Sequence, residues 1–322
     1  MTQKKIFSRI GTAYFLLTVV SLGVSYLLAF VLAAAAPRVY YRPLMTWVLS
    51  LLPMYLVGMP VCAKVMKRLP GRELFQKKMS PGNWVSAFCI CICVMYAGNL
   101  LGNFISTMIG EAASRSVEFS LQEMMTTGNL AYTFVFSVLL APVLEELFFR
   151  KILIDRAIVF GDKTAILLSG LLFGLFHGNF YQVFYAFGVG CVLAYVYIRT
   201  GKIWYSISPH MAVNFFNGFL SASLLRNLDL ETLLDSLSNP LAAEQYLMEN
   251  MGILMLYVLF AMVMLVLVII GLVKLLTSIR RLHFNPGEYS APSQTMAGYL
   301  FGNVGMWLFI GICAVEFFIS IL

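Results

Sequence analysis

Charged residues are scarce in this sequence. Asp, Glu, Lys and Arg together make up 11% of its 322 residues, against about 25% in an ordinary soluble domain. Hydrophobic residues make up 60%, which is more apolar surface than a water-soluble fold of this length can hide. This imbalance excludes a cytosolic enzyme, a disordered protein and a nucleic-acid-binding module. The expected surroundings are the lipid bilayer, with no nucleic acid as partner.

The residues of common metal and disulfide sites are also few. There are three histidines, and no H-E-x-x-H motif supports a zinc protease of that type. All six cysteines lie in apolar runs, where free cysteine behaves as a small hydrophobic residue. They are Cys62, Cys89, Cys91, Cys93, Cys191 and Cys313. We therefore expect neither a disulfide framework nor a metal at the C-x-C-x-C segment.

Long apolar runs dominate what is present. A membrane-spanning helix needs about 20 residues, and nine runs approach or exceed that length: 11–36, 43–63, 84–109, 130–155, 164–179, 181–198, 203–224, 250–273 and 296–322. The fifth run is short, and Gly178-Asn179 predicts a tight turn after it. The first run is longer than the apolar part of a typical signal peptide and is interpreted as a retained helix. The sequence thus predicts one all-α, polytopic membrane domain over 1–322, with eight to nine transmembrane helices.

The basic residues predict an orientation for these helices. If the N-terminus is cytoplasmic, every Lys and Arg lies on the inner side except Arg38, Arg42, Arg115 and Arg226. This bias is the positive-inside pattern of cell-membrane proteins, and it places the C-terminus outside. The two long outer connections, 110–129 and 225–249, mix acidic with apolar residues and predict short amphipathic helices on the outer surface.

Polar side chains are rare within the runs, and most of them fall on three helices. An ionisable group inside a bilayer costs a few kcal/mol and marks a functional site by default. The fourth, fifth and seventh runs together contain Glu145, Glu146, Arg150, His177, His210 and Asn214. Glu316 lies in the last run without a polar partner in the sequence, and we expect it at the outer interface with no role.

Helical spacing predicts how these side chains are directed. Glu146 and Arg150 are four residues apart and can pair on one face, while Glu145 lies about 100° away around the helix and stays available. His210 and Asn214 also share a face. Three polar helix faces could therefore enclose a wet cavity, with the catalytic core at about 130–224.

Three short motifs stand in order on separate predicted helices: E-E-x-x-x-R at Glu145–Arg150, F-x-x-x-H at Phe173–His177 and H-x-x-x-N at His210–Asn214. This ordered set resembles the CPBP family, which includes the type II CAAX prenyl endopeptidases and the bacterial Abi proteins linked to bacteriocin processing and self-immunity. The resemblance covers about 142–216.

The resemblance implies a helical intramembrane endopeptidase with a cavity open to the cytoplasm. It implies that Glu145 activates water with help from His177, and that His210 and Asn214 hold the oxyanion. Glu146 and Arg150 are implied as supporting residues. The implied partner is a peptide or protein substrate in the membrane, but no feature of the sequence reads a prenyl group or a cleavage sequence.

The family is described both as metalloproteases and as metal-free proteases with a glutamate base. A divalent metal such as zinc wants three protein ligands, which His177, His210 and Glu145 could supply. We expect Arg150 to engage Glu146, so that metal ligation by Glu145 would leave no carboxylate as base. A carboxylate in low-dielectric surroundings can act as a base near neutral pH without a metal. The available residues favour a reaction without a cofactor, and a bound divalent metal stays as the alternative.

Two other functions fit part of the pattern. Buried Glu, His and Asn also build the proton relays of transporters, although transporters repeat such residues in matching halves and this chain concentrates them in one stretch. A non-catalytic bacteriocin-immunity protein could retain the motifs as structure. Both stay as alternatives to an endopeptidase.

Overall fold

A computed structural model describes residues 1–113, 128–228, 230–236 and 238–321. Helices form the fold, and these ranges contain no strand, so the all-α prediction is confirmed. Together with the apolar helix lengths, this shows a multi-pass membrane protein.

The main helices follow the predicted runs closely. They are α1 (Gln3–Ala35), α2 (Pro43–Met66), α3 (Pro81–Ala113), α4 (Leu130–Phe160), α5 (Asp162–Phe176), α6 (Phe180–Thr200), α7 (204–225), α8 (Pro240–Ile279), α9 (Ser293–Phe301) and α10 (Val304–Ile319). Short helices at Pro37–Tyr40 and Leu230–Ser236 lie between them.

The predicted count of nine spans is not confirmed. Within the described ranges, six helices are long and apolar enough to cross a membrane, and the pair α9 and α10, bent by 69°, could make a seventh. Helix α5 has 15 residues, which is too short for a full span, and α7 does not pass the same test. Both are nevertheless helical where the sequence predicted helices.

The predicted outer amphipathic helices fare unequally. Most of the first, 110–129, lies outside the described residues. Of the second, 225–249, only Leu230–Ser236 is a separate short helix, because α8 already begins at Pro240. Helix α8 therefore begins before the apolar run that predicted it, which starts at residue 250.

Helices α5 and α6 form a tight hairpin. Asn179 caps α6 by accepting from the backbone N–H of Gln182 at 3.0 Å, and Gly178 adopts a φ of 64°, which glycine tolerates best. A Cβ at Gly174 would lie 2.8 Å from the carbonyl oxygen of Val183. The predicted turn is confirmed, and the small residue at Gly174 allows the two helices to pack closely.

The connections rich in Lys and Arg are bound to one another at one end of the bundle, which we call the basic end. Backbone hydrogen bonds join Arg72 to Asp155, and Lys77 to Thr200, each at 2.7 Å, and Tyr289 to Val159 at 2.8 Å. The other end, called the opposite end, includes the connection at 36–43, the end of α3 at Ala113, the start of α4 at Leu130 and the end of α7 at Leu225. There the Arg226 guanidinium donates to the Gly128 carbonyl at 2.9 Å.

Wide π-helical turns interrupt the helices that carry the candidate site. In α4 they occupy Phe134–Leu140 and Leu147–Ile152, and in α7 they occupy Asn214–Leu220. Pro142 follows the first of these turns, and a proline cannot donate to the regular helix ladder. Such turns re-aim side chains and recur at functional sites.

Candidate active site

The two adjacent glutamates lie at the midpoint of α4. Glu146 is fully buried, and its Oε2 lies 3.0 Å from Nε of Arg150, which is also fully buried. This is the pair that the four-residue spacing predicted. Because an isolated buried charge is very costly, Glu146 and Arg150 neutralise each other where neither reaches water.

Arg150 also ties α4 to α5. Its Nη1 donates to Oγ of Ser169 at 2.9 Å, and that hydroxyl donates to the Phe149 carbonyl at 2.6 Å. The guanidinium carbon lies 4.8 Å from the centre of the Phe173 ring, a cation–π contact. Ser169 is not among the residues predicted from the sequence, although it stands four residues before Phe173 on the face that also carries His177.

His210 connects the two glutamates from α7. Its Nδ1 lies 3.0 Å from Oε1 of Glu146 and its Nε2 lies 3.7 Å from Oε2 of Glu145. Since a carboxylate can only accept, Nδ1 carries the hydrogen in this contact. Nε2 is then an acceptor in the neutral ring and a donor only in the protonated ring.

The two oxygens of Glu146 have different partners. Oε2 faces Arg150, while Oε1 accepts from His210. Glu146 therefore pairs with Arg150 and also orients a histidine. One buried carboxylate serves both partners because its two oxygens point to different helices.

His177 stands at the C-terminal end of α5, where its Nδ1 donates to the Phe173 carbonyl at 2.8 Å. The Phe173 ring packs edge-on against both imidazoles, with ring centres 4.9 Å from His177 and 5.8 Å from His210. Phe173 thus fixes the orientation of both histidines. In the neutral ring of His177, Nε2 is left as an acceptor.

Asn214 fastens α7 to α4. Its Nδ2 donates to the Ser137 carbonyl at 2.8 Å, within the π-helical turn that precedes Glu145. A carboxamide nitrogen has two hydrogens, so one N–H of Asn214 remains for another partner.

A cavity of about 560 Å³ brings four of the predicted site residues together: Glu145, His177, His210 and Asn214 all line it. Glu146 and Arg150 lie behind this wall and do not line the cavity. Among the described lining residues, Glu145 is the only carboxylate and there is no Lys or Arg. The arrangement offers one base, two imidazoles and an amide to whatever the cavity holds.

Much of the polar lining was not predicted from the sequence. Asn99 and Asn103 on α3, Gln182 and Tyr185 on α6, and Asn217 on α7 all line the cavity. A signal was available, because Asn99 and Asn103 are four residues apart in an apolar run, and so share one helix face.

The three candidate metal ligands all line the cavity. Among the residues that the structure describes, no group of three or more His, Cys, Asp or Glu side chains is placed to hold a metal ion. The candidate ligands His177, His210 and Glu145 line one cavity without converging on one point as a zinc site requires.

Glu316 is not placed as expected. It packs against the turn that follows His177, where a Cβ at Gly178 would lie 3.0 Å from the Cβ of Glu316. Its Oε2 is buried and has no hydrogen-bond partner in the described part of the chain. The residue therefore contacts the α5–α6 turn and is not simply an outward-facing group at the end of α10.

Comparisons with known proteins point to the same segment. Residues 127–216 match the sequence model of the family described as type II CAAX prenyl endopeptidase Rce1-like. Over 97 residues the chain is 31% identical to the Bacillus subtilis (strain 168) protein named "Putative membrane peptidase YdiL"; the match covers 29% of this chain and 38% of that relative. No solved structure matches. The resemblance to the CPBP family is confirmed over this segment, which contains all three motifs.

Proposed function

We propose that this protein is an intramembrane endopeptidase that hydrolyses a peptide bond of a membrane-associated or lipid-anchored peptide or protein. The observation that carries the proposal is the chain of contacts from Arg150 through Glu146 and His210 to Glu145, which ends at the wall of a cavity. The match of 127–216 to an endopeptidase family supports it.

In the proposed reaction, Glu145 is the general base. It takes a proton from water as the water oxygen attacks the substrate carbonyl carbon, and the carbonyl oxygen becomes an oxyanion. The tetrahedral intermediate then collapses, the C–N bond breaks, and the proton held by Glu145 passes to the leaving amine. The products are a carboxylate and an amine, and no other reactant is consumed.

His210 and Asn214 are proposed to hold the oxyanion. Asn214 has one N–H beyond its bond to Ser137, whereas His210 can donate through Nε2 only as the protonated ring, because Nδ1 is bonded to Glu146. Oε1 of Glu146 and Oε2 of Glu145 lie 3.0 and 3.7 Å from its two ring nitrogens. His177 is proposed to assist by accepting a hydrogen bond from the attacking water.

Supporting residues hold this geometry without touching the substrate. Glu146 fixes the ring of His210, Arg150 neutralises Glu146, and Phe173 separates the two imidazoles. We propose no metal in the reaction, and no step requires one. The N-terminus is proposed to be cytoplasmic and the C-terminus outside, from the distribution of Lys and Arg.

The proposal is tested with protein purified in detergent and a peptide library. Glu145→Ala is expected to lower turnover by at least about 10²-fold, because it removes the general base. The matched control is Glu249→Ala, an exposed glutamate on α8, which should turn over like the parent. Equal turnover by Glu145→Ala and the parent would contradict the proposal.

The two alternative functions predict different results. A proton-coupled transporter would show proton flux in liposomes that Glu145→Gln abolishes. An immunity protein would still protect cells as the Glu145→Ala, His210→Ala double variant. Neither alternative has a specific observation in its favour.

A further inference from the structure

The cavity occupies one half of the helix bundle. On α3 its lining runs from Met95 to Asn103, on α4 from Phe136 to Glu145, on α6 from Tyr181 to Val189, and on α7 from His210 to Leu225. Because α3 and α7 run toward the opposite end while α4 and α6 run away from it, all four stretches extend from about the level of Glu145 toward the opposite end of the bundle.

The half between Glu145 and the basic end is filled. After Glu146, the side chains of Phe149, Leu153 and Ile154 are fully buried in the main hydrophobic core. The Phe149 ring packs against Tyr14 at 5.3 Å and against Phe173 at 5.1 Å between ring centres. No described residue of α4 beyond Glu145 lines the cavity, so along this helix the cavity does not extend toward the basic end.

The two ends face different compartments. By the positive-inside rule, the end that carries Lys64, Lys67, Lys77 and Lys163 is cytoplasmic. The cavity then extends toward the outer face. The resemblance implied a cavity open to the cytoplasm, and that expectation and the charge-based orientation cannot both hold for this arrangement of helices.

The lining also indicates the chemistry of the occupant. Carboxamides from three helices (Asn99, Asn103, Gln182, Asn214 and Asn217) and the hydroxyl groups of Tyr96, Tyr185 and Tyr257 surround the space. A carboxamide offers both a donor and an acceptor, as a peptide group does. Beyond Glu145 and the two histidines no lining residue of the described chain could pair with a charge, and an unpaired charge in such a site is costly.

We propose that the substrate reaches Glu145 from the outer side of the membrane, as an extended segment of uncharged residues whose backbone binds the amides on α3 and α7. The proposal rests on the endopeptidase function proposed above. The expected substrates are peptides that have already been exported, or that are anchored in the membrane from its outer side. Prenylated proteins in the cytoplasm would then be unsuitable substrates.

Cysteine accessibility tests the side of entry without needing activity. Asn99→Cys and Asn217→Cys place thiols in the cavity, Glu244→Cys marks the opposite end, and Lys77→Cys marks the basic end. Each is treated with a membrane-impermeant maleimide in right-side-out and in inside-out vesicles. The parent protein sets the background, because its six cysteines are buried or partly buried. If one cavity variant does not fold, Ser221→Cys on the same wall replaces it.

We expect both cavity thiols and Glu244→Cys to be labelled in right-side-out vesicles, and Lys77→Cys only in inside-out vesicles. Labelling of the cavity thiols together with Lys77→Cys would overturn the proposal. So would labelling of Glu244→Cys and the cavity thiols in inside-out vesicles alone, since the whole orientation would then be reversed. If the cavity thiols are labelled from neither face but are labelled in the denatured protein, the proposal would also be overturned. None of these results depends on proteolysis, so a failure here is distinct from a failure of Glu145→Ala.

Discussion

The basic end and the opposite end of this bundle use polar residues differently. At the basic end, charged side chains pair with one another: Arg199 lies 3.1 Å from Asp162, and Lys151 lies 2.8 Å from Asp155. The backbone N–H of Asn285 also donates to Asp162 at 2.9 Å. At the opposite end, neutral amides and hydroxyl groups line a cavity. Charges at an interface with water cost little, whereas within the bilayer only neutral or mutually neutralised groups are tolerated.

The site lies where these two halves meet. Glu146 and Arg150 belong to the filled half and are closed off from water, while Glu145, one residue earlier, faces the cavity. A helical step of about 100° separates a structural carboxylate from a reactive one. Equivalent substitutions in the two halves are therefore expected to change the unfolding free energy and the turnover by different amounts.

The largest expected effect on stability comes from breaking the buried ion pair. Arg150→Leu leaves Glu146 buried without its counter-charge, which typically costs about 3–5 kcal/mol. Lys151→Leu is the control next in sequence, because Lys151 is partly exposed and a surface pair contributes about 0–1 kcal/mol. Thermal unfolding in detergent measures both. Equal losses for the two variants would remove the distinction between the halves.

The next effect is on turnover. His210→Ala removes a proposed oxyanion donor, which typically costs about 10²- to 10³-fold in kcat. His283→Ala is the matched control, because His283 is exposed in the connection at the basic end. Cleavage of the same peptide by both variants is compared. A full-rate His210→Ala would show that the ring only supports Glu146.

Two of the glycines with positive φ allow a smaller comparison. Gly178 has a φ of 64° beside the site, and Gly201 has a φ of 62° at the basic end. Gly178→Ala is expected to cost about 1–2 kcal/mol in unfolding free energy, since a Cβ is strained in this conformation. Gly201→Ala should cost more, because its Cβ would also lie 2.5 Å from the carbonyl oxygen of Phe75. Only Gly178→Ala should also lower kcat at a temperature where the protein stays folded, because His177 precedes it. A loss of kcat in Gly201→Ala would contradict this division.

Smaller still are the effects of single amides in the cavity. Asn99→Ala or Asn217→Ala removes one neutral hydrogen bond to the substrate backbone, worth about 0.5–1.5 kcal/mol, and should raise KM about two- to tenfold with little change in kcat. Asn83→Ala, exposed at the basic end, should leave KM unchanged. A peptide with Lys near the cleaved bond should be a poorer substrate than its neutral counterpart.

The smallest effect is expected from metal removal. A chelator should leave most of the activity intact, and elemental analysis of active protein should not find one equivalent of zinc. Activity lost on chelation and restored by zinc would show that Glu145 is a ligand and not the base.

Much of the fold could be predicted because each helix satisfies a local rule. Within the described residues each predicted apolar run forms helix, with a break at Gly302 and Asn303 in the last one; Glu146 pairs with Arg150, and the α5–α6 turn lies at Gly178 and Asn179. The number of spans could not be predicted, because hydropathy does not distinguish a full crossing from α5, a 15-residue helix covered by its neighbours. The spacing of Asn99 and Asn103 indicates that they share one helix face, but only the packing of the helices shows that this face lines the cavity.

The sequence by itself determined the class of protein, the helical runs and the pairs of residues on one helix face, because composition and helical periodicity are properties of a single segment. Tertiary structure alone decided that Glu146 serves both Arg150 and His210, that Phe173 stands between two imidazoles, and that the cavity extends toward the opposite end. These contacts join residues that are distant along the chain. They depend on how helices pack against each other, which spacing along one helix does not specify.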